Sequence, residues 1–105
     1  MDIFDLQDSQ KDVSNASIQM YEALKKEKEA NIALQNKIQK VRLENMEYLL
    51  AGAITAAAHK VQVENETFDE KLAYDTAVYD RKMCSTRLES LKEKHYTIKK
   101  ELNIQ

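Results

Sequence analysis

A chain of 105 residues with no proline and a single glycine, Gly52, has almost no means of turning sharply. Tight turns draw on the fixed φ of proline or the positive φ open to glycine. Sandwiches, barrels and dinucleotide-binding folds need many such turns and are excluded. The excess of Ala, Leu, Glu, Lys and Gln instead points to an all-α chain. Only 43% of the residues are apolar, with five Tyr, two Phe and no Trp, so one chain of this length has little with which to bury a core of its own. A helical partner, either itself or another chain, is expected to complete the packing.

Spacings of three and four residues run along most of the sequence. Ile3, Gln10, Ser17, Leu24, Asn31, Ile38 and Asn45 take the first core position of a heptad, with Leu6, Val13, Met20, Glu27, Leu34, Val41 and Tyr48 at the second. A second run sets Thr67, Tyr74, Arg81, Leu88, His95 and Leu102 beside Val63, Glu70, Ala77, Cys84, Leu91 and Ile98. The two registers differ by one residue, a slip suited to a weakly supercoiled helix that drifts about 20° per heptad. From Phe68 to Met83 the apolar face widens, with Phe68, Leu72, Tyr79 and Met83 beside Tyr74 and Ala77. This predicts three or more helices packed there.

Between the runs lies YLLAGAITAAA, Tyr48 to Ala58, without a charge in a chain that is 32% charged. Small side chains let helix backbones approach closely, so Gly52, Ala53 and Ala56 are candidates for a helix crossing or for the bend of a hairpin. Helix propensity favours a continuous helix through the block, since only Gly52 could bend it. The organisation read from the sequence is an acidic tail or docking segment at 1–12, a first coiled-coil segment at 13–48, the Ala-rich crossing or bend at 49–60 and a second coiled-coil segment at 61–105. Helix starts are expected at Ser9, Asp12 or Ser14, and Thr67 with Glu70 fits a capping box that would mark an interior break.

Charge sets the direction of pairing. Net charge alternates along the chain: −4 over residues 1–24, +4 over 25–42, −6 over 43–80 and +4 over 81–105. Antiparallel pairing about a centre near Ala53 brings opposite blocks together, whereas a parallel homodimer lays each block on its own copy. Folding back at Asn65 would set two basic stretches, 25–42 and 88–105, against each other. Asn31 and Asn45 point the other way, because a buried Asn often fixes the register of a parallel dimer.

Sites for chemistry are not expected. Cys84 and His95 share a stripe, but eleven residues of helix separate them by about 16 Å, too far to share a metal ion. His59 has no His or Cys within a turn. No catalytic, cofactor or metal residue is therefore assigned. One cysteine builds no disulfide framework, so the expected setting is intracellular, cytoplasmic or nuclear. The acidic start lacks the features of a secretory signal, and the uncharged block is about half the length of a membrane span. The KEKHYTIKK stretch, Lys92–Lys100, mixes basic and aromatic residues, but with a pI near 5.7 nucleic acid is not an expected partner.

The expected function is that of a non-enzymatic coiled-coil assembly or adaptor subunit, acting by protein–protein association within a larger complex. The interface assigned to it comprises Leu24, Leu34, Ile38, Val41, Tyr48, Gly52, Ala53, Ala56, Phe68, Leu72, Tyr74, Leu88, Leu91, Ile98 and Leu102. The alternative is an amphipathic helix protein that acts at a membrane surface.

Overall fold

The computed structural model describes residues 2–104. Three helices account for nearly all of them: α1 (Ile3–Leu50), α2 (Ala56–Glu66) and α3 (Phe68–Ile104). No strand occurs among the described residues. The chain is all-α, and within Glu27–Ala77 it folds back as a helical hairpin. It divides into two units, one pairing α1 up to Lys26 with α3 from Val78 onward, the other comprising Glu27–Ala77.

Helix α1 starts earlier than its sequence suggests. Asp2 and Asp5 cap it reciprocally: the Asp5 amide donates to Asp2 Oδ1 at 3.0 Å, and the Asp2 amide to Asp5 Oδ2 at 3.2 Å. A carboxylate at each end of the first turn satisfies amides that have no partner within the helix and suits the positive end of its dipole. Ser9, Asp12 and Ser14, expected as caps, lie inside the helix. The Ser17 hydroxyl likewise turns back to the Val13 carbonyl.

The Ala-rich block does not continue the helix. Gly52 adopts φ +73°, the Gly52 amide donates to the Leu49 carbonyl at 3.2 Å, and the Ala53 amide to the Tyr48 carbonyl at 2.9 Å. This pair of bonds around a left-handed glycine is a Schellman cap. Thr55 then caps α2, its hydroxyl accepting from the Ala58 amide at 3.0 Å. Alanine's preference for helix is worth only fractions of a kcal/mol per residue, less than the packing gained by folding two apolar seams together. The chain therefore bends at this block, and Gly52, Ala53 and Ala56 are exposed in it.

Thr67 marks the interior break, though not through a capping box. Its hydroxyl donates to the Val63 carbonyl at 2.7 Å, and its amide donates to the same oxygen at 3.0 Å. The Lys71 amide reaches the Thr67 carbonyl at 2.9 Å, so helical bonding passes through the junction. A threonine that bonds back to the carbonyl four residues earlier often bends the helical path.

On α3 the inward face is the one the heptad reading assigns. Thr67, Glu70, Tyr74, Ala77, Arg81, Cys84, Leu88, Leu91, His95, Ile98 and Leu102 are all buried or half-buried. On α1 the second-position series is right from Leu6 to Val41, but the first-position series is one residue late until Ile38. The residues that turn inward there are Ser9, Ala16, Ala23 and Ala30, while Gln10, Ser17, Leu24 and Asn31 are exposed. Close packing of two helices selects the small side chain at each of these steps.

Candidate interaction surface

In the unit at Glu27–Ala77, the packing between α1 and the α2–α3 arm centres on Leu34, Val41 and Val63, of which Val41 is 1% exposed. Its register is fixed by a polar pair. Gln62 Nε2 donates to Asn45 Oδ1 at 3.3 Å, and Asn45 Nδ2 donates to the Val41 carbonyl at 2.9 Å. Asn45, which from sequence could set the register of a parallel dimer, here sets that of an antiparallel hairpin.

Beside this seam runs a groove of about 580 Å³, lined by Leu34, Gln35, Ile38, Arg42, Ala56, His59, Lys60, Val63, Glu64, Thr67, Phe68 and Lys71. Its walls come from α1 on one side and from α2 and the start of α3 on the other, so the bend at Thr67 helps shape it. The floor is apolar, and Phe68 stands 62% exposed at its edge. Three cations and one carboxylate belong to the lining. Lys71 is tied to Asp75 at 3.0 Å and sits 5.5 Å from the Tyr74 ring centroid. His59 Nδ1 is buried and has no hydrogen-bond partner.

In the other unit, Ala16, Ala23 and Ile98 form the buried apolar packing. Ser9, itself buried, holds His95: its hydroxyl lies 2.7 Å from His95 Nδ1 and 2.9 Å from the Leu6 carbonyl. A hydroxyl has one proton to give. The direction of the Ser9–His95 bond follows the histidine tautomer.

Of the residues the sequence assigns to an interface, Leu34, Val41 and Ile98 are buried, and Ile38, Tyr74, Leu88, Leu91 and Leu102 are half-buried, all on inward faces. Leu24, Tyr48, Phe68 and Leu72 stay exposed beside Gly52, Ala53 and Ala56. The groove was not legible in the sequence, because it depends on the turn and on the bend at Thr67. The small residues of the α1 seam carry a usable signal in their own three-four spacing. Among the described residues, no group of three or more His, Cys, Asp or Glu is gathered to hold a metal ion, and no helix is long and apolar enough to cross a membrane. No protein-family model matches the chain, and no curated protein or solved structure matches it.

Proposed function

We propose that this chain is a non-enzymatic assembly or adaptor subunit that works by helical protein–protein association within a larger complex. The observation that carries the reading is the surface it leaves open. The chain exposes 8044 Å², whereas globular monomers of its mass expose about 6,100 Å² by the usual scaling. The excess, about 2,000 Å², is comparable to what a specific protein–protein interface covers. Large apolar side chains belong to the open surface: Ile32, Leu43, Met46, Leu50, Phe68 and Leu72 are exposed on the Glu27–Ala77 unit. The expected partner is a second copy or another helical chain, and nucleic acid is not an expected ligand. The lone Cys84 suits an intracellular setting, cytoplasmic or nuclear.

The test is affinity isolation from the native source, combined with sedimentation of the purified chain over a wide concentration range. Recovery of a stoichiometric complex, with itself or with another helical protein, supports the reading. A chain that stays monomeric and retains no partner overturns it. Action at a membrane surface is the alternative, favoured by the exposed run Leu43, Met46 and Leu50 at helical spacing on α1. Glu44 and Glu47 interrupt that run, which weakens attraction to anionic lipid. Co-sedimentation with anionic vesicles decides between the two.

A further inference from the structure

We propose that the groove between α1 and the α2–α3 arm receives the first two turns of α1 from a second copy of this chain, in a head-to-tail contact. This rests on the assembly reading and names its partner. The groove joins an apolar floor of Ile38 and Val63, edged by Phe68, to a rim carrying Arg42, Lys60 and Lys71, the last held by Asp75, with the carboxylate of Glu64 beside them. Two such grooves facing each other would oppose like charges, so symmetric pairing through this surface is disfavoured and an acidic, apolar occupant is favoured.

The chain carries such a segment. Residues 2–12 hold four aspartates against one lysine, Lys11. Ile3 and Phe4 are 59% and 69% exposed at the capped start of α1. Asp2 and Asp5 keep these residues helical through their reciprocal cap, so the segment is ordered before it docks. Phe4 and Asp8 lie one turn apart on one face. With Phe4 seated beside Phe68, Asp8 comes to the cationic rim, and Lys11, on the same face, has Glu64 as a counterpart. The mode is a helix anchored in an apolar groove. Because donor and acceptor surfaces differ, each copy retains a free groove and a free end, and the contact propagates.

Two variants test this by sedimentation velocity and circular dichroism: Phe4→Ser with Asp8→Lys, and Phe68→Ser with Lys60→Glu. All four residues are exposed, so helicity should be unchanged. The wild type is expected to grow in mass with concentration beyond a dimer, and each variant alone to associate at least about tenfold more weakly, as loss of an anchor with its charge pair implies. An equimolar mixture should stop at a dimer, since one intact groove then meets one intact end. A mixture that stays monomeric overturns the proposal. A wild type that self-associates with both variants unaffected also overturns it while leaving the assembly reading intact. A wild type that remains monomeric at every concentration overturns it too, and the assembly reading then stands or falls on affinity isolation alone.

Discussion

Ser9 and His95, 86 positions apart in sequence, meet at 2.7 Å between α1 and α3, and Ser9 is 3% exposed. Removing the hydroxyl leaves the half-buried histidine with an alanine methyl in place of its bonding partner. Ser9→Ala should lower stability by about 1–2 kcal/mol, measured by chemical denaturation, as expected for a part-buried group that loses its only bond. Ser9→Thr keeps the oxygen and should recover part of the loss.

Gly52 has open space where a side chain would begin, so the cost of changing it comes from its backbone alone. At φ +73° an alanine is strained by about 1–2 kcal/mol. Gly52→Ala should therefore lower the melting midpoint by about 4 °C or more, and Gly52→Asn by less, because asparagine tolerates the left-handed region. Equal midpoints for the two variants would contradict the cap described for α1.

Leu34 and Leu24 look alike in sequence, yet they are 6% and 46% exposed. Truncation to alanine should separate them: about 2–4 kcal/mol lost at Leu34 and under about 0.5 kcal/mol at Leu24, by denaturation at low protein concentration. Conversely, Ala23→Leu should cost about 1–3 kcal/mol by overpacking, since Ala23 is 7% exposed and faces inward. Ala53→Leu and Ala56→Leu should leave stability nearly unchanged because both sites are exposed.

His59 carries a buried ring nitrogen with no hydrogen-bond partner. A leucine of similar reach removes that polar atom and adds apolar contact, so His59→Leu should raise stability by about 1 kcal/mol. A loss of the same size would mean that the nitrogen has a partner in solution.

The contrast between Leu24 and Ala23 shows why α3 was readable from sequence and the first half of α1 was not. On α3 the inward positions include Leu88, Leu91, Ile98 and Leu102, large enough to dominate any periodicity. On α1 they include Ser9, Ala16, Ala23 and Ala30, whose apolar signal is weaker than that of Ile3 and Leu24 one position away. Charge alternation correctly pointed to antiparallel strands, because it depends on blocks and survives a register error of one residue. The turn was half legible. Gly52 stands out as the one residue able to bend the block, but Thr55, which caps the next helix, sits among alanines that individually favour helix. The groove beside Phe68 was out of reach, since it needs residues on both arms whose juxtaposition is known only once the bend is placed.

The hairpin also dictates an order of events as the chain folds. The Asn45–Gln62 bond closes a loop of 17 positions and the Ser9–His95 bond one of 86. By loop-closure entropy alone the second contact costs about 1.4 kcal/mol more than the first when made from the unfolded chain. Folding should thus make the Asn45–Gln62 contact before the Ser9–His95 contact. Substitutions near Asn45 and Gln62 should slow folding, whereas those at Ser9 should chiefly speed unfolding.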